Sequence, residues 1–166
     1  MNFFDKIDEA KQEFSSAKTS RNQISLGFKK MKIVPGTTNL DWGGGRYETS
    51  TDYLKDKGVR NYVYDPFNRS AAENSAALKS KPDTLTCFNV FNVIKEDGII
   101  IDILKRWKKF MLTSNSIYIT VYKGNGSGIG EQTSHGYQRN MKTKDYLPLI
   151  QKVFPGASIK SNMIII

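Results

Sequence analysis

The sequence predicts an α/β domain built on a mostly parallel sheet, and three observations predict it. Apolar, β-branched runs alternate with helical stretches along the chain, the order that a parallel sheet with helical crossovers requires. The run Asn39-Leu40-Asp41-Trp42-Gly43-Gly44-Gly45-Arg46-Tyr47 is an apolar strand that closes in an acid and turns on glycines. A second apolar run, Asn61-Tyr62-Val63-Tyr64, closes in Asp65-Pro66-Phe67-Asn68, near the roughly 20-residue offset at which a second-strand acid meets ribose hydroxyls in dinucleotide folds.

Taken in order, residues 3–16 read as a helix, 19–26 as a polar connection and 26–31 as a short helical turn. The segment 1–35 is expected to form a helical cap, and its cations Lys18, Arg21, Lys29, Lys30 and Lys32 lie upstream of the glycine turn. The first strand is placed at 38–42, a helix at 49–57 stopped by Gly58, and the second strand at 62–65. Residues 70–80 are Ala-rich and helical, 84–91 an apolar strand and 98–112 a helix whose Ile101, Leu104, Trp107 and Met111 share a face. Residues 116–122 alternate β-branched and aromatic side chains as a strand does. A last helix at 144–154 leads through Pro155-Gly156 into one or two terminal strands over 157–166. The count is about five to seven strands.

Composition bounds the function. A chain of 166 residues, 39% hydrophobic and 25% charged, suits one soluble domain with a substantial core. The acidic residues near the N-terminus do not read as a secretory signal, and no apolar run is long enough to span a bilayer, so a cytoplasmic location is expected. The single Cys87 sits in an apolar run and reads as a buried thiol. One histidine and one cysteine do not make a zinc constellation. Against 16 acidic residues stand 25 basic ones, a formal charge of +9, which favours nucleic acid as a partner. The cluster Lys105-Arg106-Trp107-Lys108-Lys109 reads more readily as the solvated outer face of a helix than as a nucleic-acid patch.

Gly43, Gly44 and Gly45 permit positive φ and a close approach to the main chain; glycine runs also occur as plain turns between a strand and a helix. Reading G-x-G-x-x-G from Gly43 puts Glu48 at the third glycine, which weakens a pyrophosphate site. The form Asp41-x-Gly43-x-Gly45 instead resembles motif I of the class I S-adenosylmethionine (SAM) dependent methyltransferases. The runs Tyr64-Asp65-Pro66-Phe67-Asn68-Arg69, Phe88-Asn89-Val90-Phe91-Asn92-Val93-Ile94 and Gly136-Tyr137-Gln138-Arg139 resemble small methyltransferase-like proteins of phages and mobile elements. These are similar in turn to the methyltransferases that accompany DNA phosphorothioation systems. The likeness covers about residues 37–166.

The resemblance implies a compact or truncated Rossmann-like SAM methyltransferase sheet with SAM as cofactor. It implies that Asp41, Gly43, Gly44, Gly45 and Arg46 form the methionine-side loop, that Asp65 accepts from the ribose, and that Pro66 and Phe67 pack on adenine. Asn89, ending what that pattern makes the fourth strand, would contact the methionine and open the substrate side; Asn92 is either a site residue or a helix N-cap. The Asn-Pro-Pro-Tyr type motif of amino-methylating DNA enzymes is missing, and Cys87 is misplaced for cytosine C5 chemistry.

Methyl transfer needs chiefly alignment, with a base where the acceptor holds a proton. Catalytic candidates are Asn89, Asn92, His135 and Tyr137, His135 because imidazole suits proton transfer near neutrality. Substrate candidates are Tyr122, Lys123, Tyr137 as a stacking platform and Arg139 as a phosphate partner. The loop 123–131, with four glycines, reads as a mobile lid, a close backbone contact or a surface linker. The expected activity is methyl transfer from SAM to an acceptor such as nucleic acid. The alternatives are SAM binding without transfer, and SAM degradation that counters host restriction.

Overall fold

Four parallel strands form the centre of the molecule because each is an apolar run separated from the next by a helix. The computed structural model describes residues 12–110 and 112–166. Its elements are α1 (Leu26–Lys30), β1 (Thr38–Trp42), α2 (Thr49–Asp56), β2 (Arg60–Tyr64), α3 (Ala71–Leu78), β3 (Thr84–Phe88), α4 (Asp97–Trp107), β4 (Ile117–Thr120), β5 (Glu131–Thr133), β6 (Gly136–Gln138), α5 (Leu147–Gln151), β7 (Ser158–Lys160) and β8 (Met163–Ile165). Six strands join in the order β2-β1-β3-β4-β8-β7, with β5 and β6 a separate hairpin. Strands β2, β1, β3 and β4 run parallel, Leu40 lying opposite Tyr62 and Leu85. The terminal hairpin β7–β8 adds antiparallel through β8. The sheet is thus mixed, and the expected fourth-strand segment ending at Asn89 is the third strand of this chain.

Strand periodicity divides the core between two faces. Leu40, Trp42, Leu85, Cys87, Ile117 and Ile119 pack with Ile100, Ile103, Leu104 and Trp107 of α4, and with Ala77 of α3 and Ile150 of α5. Phe28, Leu54, Val59, Phe88, Tyr118 and Met163 form a smaller cluster with α1 and α2. Cys87 is buried, and burial pushes its thiol well above the usual range.

Several boundaries differ from expectation. Helix α4 begins at Asp97 and ends at Trp107, followed by a 3-10 turn, Lys108–Phe110. Ile99, Ile100 and Ile103 are buried on it with Leu104 and Trp107, whereas Ile101 is half-buried; Met111 lies outside the described residues. Strand β3 stops at Phe88, because Asn89 takes φ +61° and turns the chain. The helix expected over 3–16 lies mostly outside the described residues, and 12–16 are bends and irregular chain. Within the described part of the expected helical cap, only α1 is helical. No helix among the described residues is long and apolar enough to cross a membrane.

Candidate functional site

Strand β1 reads Thr38-Asn39-Leu40-Asp41-Trp42, so Asn39 and Asp41 alternate with Leu40 and Trp42 and point together to the face opposite α4. Buried there, they must pair. The Asn39 amide donates to Asn61 Oδ1 (2.9 Å) and Thr86 Oγ1 (3.0 Å), and accepts from Thr84 Oγ1 (2.7 Å). Thr86 in turn donates to Asp41 Oδ1 at 2.9 Å. This ladder ends at the Asp41 carboxylate, which is 3% exposed. Burial pushes its pKa up to about 7, against the Thr86 hydroxyl bond; nearby Asp65 adds to the rise, and Arg69 opposes it.

The glycine turn packs against the protein itself. A Cβ at Gly43 would strike Val90, one at Gly44 would strike Asp41 and Val63, and one at Gly45 would strike Ser20. Gly43 and Gly45 also hold φ of +73° and +77°, where side-chain-bearing residues are strained. The glycines thus permit a close approach of Val90, Asp41 and Ser20 to the main chain, while the turn itself lines the cleft.

Asp65 fastens this turn. Its Oδ2 accepts the Gly45 N–H at 2.9 Å. Its Oδ1 accepts from Phe67 N (3.0 Å), Asn68 N (3.1 Å) and Asn68 Nδ2 (3.2 Å). The backbone of Asp65 is held by Asn74, whose Oδ1 accepts the Asp65 N–H at 2.8 Å and whose Nδ2 donates to the Asp65 carbonyl at 3.1 Å. Arg69 completes the frame: Nε donates to the Gly45 carbonyl (2.8 Å) and Nη2 to the Tyr47 carbonyl (3.1 Å), while Nη1 pairs with Glu48 and Glu73. Sequence reasoning gave Asn74, Arg69, Thr86 and Ser20 no role. The Ser70-x-x-Glu73 capping box at the start of α3 was a legible signal for the adjoining frame.

Above the turn lies an open cleft of about 140 Å³. The ends of three strands line it: Asp41 to Gly45 after β1, Asp65 to Asn68 after β2, and Asn89 and Val90 after β3. The strand order reverses between β1 and β3, and open α/β sheets bind ligands at such a point, beyond the carboxyl ends of their strands. Residues 12–25 cross the mouth. Ser20 Oγ accepts the Arg46 N–H at 3.1 Å, and Asn22 pairs with Thr49. Of the upstream cations, Arg21 lines the cleft. Arg46 turns away, donating to the Ala17 carbonyl at 2.9 Å.

A second compartment adjoins the first, sharing Thr19, Arg21, Gln23, Asn89 and Val93 with it. Its far wall is the hairpin β5–β6, which the sequence reading took for loop. Tyr122, His135, Tyr137, Asn92 and Gln138 line it. The Tyr137 ring stacks on Phe14 at 5.3 Å, so one of its faces is taken. His135 sits at the hairpin tip with Nδ1 at 2.9 Å from Ser134 Oγ. Tyr122 is 61% exposed, and Lys123 beside it is exposed outside the lining.

Two expected roles are corrected. Arg139 is buried, donating from Nε to the Ile94 carbonyl (2.6 Å) and from Nη2 to the Lys95 carbonyl (2.8 Å) and Asp97 (2.5 Å). Its guanidinium locks β6 onto the segment before α4 and does not face a phosphate. Asn92 is not a helix N-cap, since it lies within the 3-10 turn Phe91–Val93; Glu96 precedes α4, and its carboxylate accepts from Glu13 N at 2.8 Å. The glycine loop is tied down: Asn140 Oδ1 accepts from Asn125 N (3.2 Å), its Nδ2 donates to the Ile129 carbonyl (2.9 Å), and its carbonyl accepts from Gly128 N (2.7 Å). Of the three readings of that loop, close backbone contact is the one this packing supports.

No family model matches the chain, and no curated protein matches it.

Proposed function

We propose that the cleft binds S-adenosylmethionine and that the protein transfers its methyl group to an acceptor in the adjoining compartment. The observation that carries this reading is the position of the cleft at the reversal of strand order, framed by two acids and a glycine turn at the ends of β1 and β2.

The donor set fits such a cofactor in charge and shape. Asp41 is a buried carboxylate on the cleft wall with Asp65 nearby and the Thr86 hydroxyl bonded to it, and a cationic ligand would stabilise its ionised form. Pro66, Phe67 and Val90 offer apolar wall for a purine. Asp65 Oδ2 accepts one protein N–H and keeps a lone pair for a hydroxyl. When bound, SAM supplies a methyl group whose carbon–sulfur electron pair stays on sulfur as an acceptor lone pair attacks the carbon.

The chain's own part is positioning. Asp41 opposes the positive end of the ligand, Asp65 and Phe67 hold its nucleoside end, and Asn89 stands where the two compartments meet. His135, in the acceptor compartment, is placed to take a proton where the acceptor must lose one.

The test is calorimetric titration of the full chain with SAM and with S-adenosylhomocysteine, repeated with Phe67→Ala and Asp65→Asn. Binding weakened at least ten-fold in both variants is the expected result. A folded protein that binds neither ligand would overturn the reading. Product analysis then separates transfer, which yields S-adenosylhomocysteine, from degradation, which yields methylthioadenosine.

A further inference from the structure

We propose that the carboxyl edge of the sheet is a binding surface for single-stranded nucleic acid, made by cations that four distant segments bring together beside the second compartment. The proposal rests on the reading of the adjoining cleft only in making that strand the acceptor; the binding itself is a separate property.

The charge of the chain is unevenly placed along it. Residues 14–40 hold Lys18, Arg21, Lys29, Lys30 and Lys32 with no acidic side chain, residues 103–130 hold Lys123 and the cations at the end of α4 with none, and after Asp145 the charged side chains are Lys152 and Lys160. Topology gathers parts of all three stretches. Strand β8 pairs antiparallel with β4, Ile164 opposite Ile119, so the β7–β8 turn lies at the carboxyl end of β4, the end from which Tyr122 and Lys123 follow. Lys160 pairs with Met163 across that turn, and Lys30 of α1 reaches it, Nζ donating to the Ser161 carbonyl at 3.4 Å. Residues 12–25 cross the same edge, with Lys18 exposed and Arg21 lining both compartments.

Lys18, Arg21, Lys30, Lys123 and Lys160 are all exposed, and none is in an ion pair among the described residues. Acids near this edge have partners or are buried. Glu13 pairs with Lys95, Glu48 with Arg69 and Asp97 with Arg139; Glu131 accepts from Asn140 at 3.1 Å; Asp41 and Asp65 lie inside the cleft. Cations of one sign without counter-charges raise the local potential and draw in a polyanion.

The surroundings favour a single strand over other polyanions. Tyr122, 61% exposed beside Lys123, offers a ring face for a base, and cations beside an exposed aromatic are how proteins hold single strands without reading their sequence. A lipid surface would need a continuous apolar face among the cations, whereas the exposed apolar side chains Leu26, Tyr122 and Ile159 come one each from three separate segments.

The test is fluorescence anisotropy of a labelled oligo(dT) of about 12 nucleotides with the full chain, with S-adenosylhomocysteine present and absent. Affinity is expected to fall with salt at a log–log slope of about −3, the value for four or five neutralised phosphates of a single strand. Lys30→Gln with Lys160→Gln should weaken binding at least five-fold and flatten the slope by about 1.4, and Tyr122→Ala should weaken it at least five-fold, with melting temperatures unchanged. Lys105→Gln with Lys108→Gln removes the same charge from the far end of α4, at the opposite edge of the sheet, and should change affinity less than two-fold because salt screens distant charges. No binding, an equal loss in that control pair, or equal or tighter binding of a duplex of the same length or of anionic lipid vesicles would overturn the proposal. Strand binding without S-adenosylhomocysteine binding would remove the cofactor reading and leave this surface standing; the reverse result would remove the surface alone.

Discussion

The carboxylate of Asp65 accepts the backbone N–H of Gly45 at 2.9 Å, so the acid that closes the second strand holds the glycine turn that follows the first. One side chain thereby ties two strand ends into the floor of the cleft. The same carboxylate accepts three more N–H bonds from residues 67 and 68. Asp65→Ala is accordingly expected to destabilise the fold by roughly 2–4 kcal/mol, the scale of losing charge-assisted bonds and orphaning their donors. Asp65→Asn should cost less, because it keeps one acceptor oxygen. Urea titration gives both numbers; an alanine variant as stable as the parent would contradict this role.

Asp41 makes stability depend on pH with a sign opposite to that of an ordinary paired carboxylate. Its pKa rises from 3.8 unfolded to about 7 folded, so the native state binds the extra proton and stability falls as pH climbs between those values. The span corresponds to about 4 kcal/mol at most. Asp41→Asn keeps the acceptor for Thr86 and removes the titration. Urea midpoints at pH 5 and pH 8 should differ less in the variant than in the parent, with the variant the more stable at pH 8.

The same carboxylate couples to ligand charge. Its raised pKa leaves it partly protonated near neutral pH, and a cation in the cleft should drive that proton off, so SAM binding is expected to release a fraction of a proton. Titrations in buffers of different ionisation enthalpy measure the release. Asp41→Asn should reduce it to near zero.

Two glycines respond in opposite directions. A Cβ at Gly44 meets Asp41 and Val63, whereas one at Gly98, in the first turn of α4, meets nothing within 4 Å. Gly44→Ala is expected to cost about 1–3 kcal/mol through overpacking. Gly98→Ala should stabilise by roughly 0.5–1 kcal/mol through helix propensity. Thermal melts of the two variants check the contrast.

Arg139 fastens the hairpin to the segment before α4 with bonds to two carbonyls and Asp97. Lysine cannot reproduce that fork, so Arg139→Lys should cost about 1–3 kcal/mol, the scale of leaving buried carbonyl acceptors unpaired. A phosphate-binding arginine would instead lose nucleic-acid affinity at unchanged stability, and measuring both separates the roles.

Most of the central strands and the helices between them were legible because their signals are local. Alternation of β-branched and aromatic side chains marked β4, Gly58 marked the end of α2, and the acids at positions 41 and 65 marked the ends of β1 and β2. The hairpin β5–β6 escaped because Glu131-Gln132-Thr133 is exposed throughout and leaves no hydrophobic trace. Arg139 was assigned to a ligand because a cation in a polar segment looks the same whether it meets a ligand or the protein's own carbonyls.

By itself the sequence determined the α/β class, the burial of Cys87 and the strand ends at Asp41 and Asp65 that line the cleft, since each follows from apolar period and turn chemistry within a few neighbouring residues. Tertiary structure alone decided what packs against the three glycines and which protein groups the Asp65 and Arg139 side chains meet. Those outcomes depend on groups brought together from distant parts of the chain: Ser20 onto Gly45, Thr86 onto Asp41 and the hairpin onto Asn92. No local pattern encodes such meetings, because the free energy that selects them belongs to the packed whole.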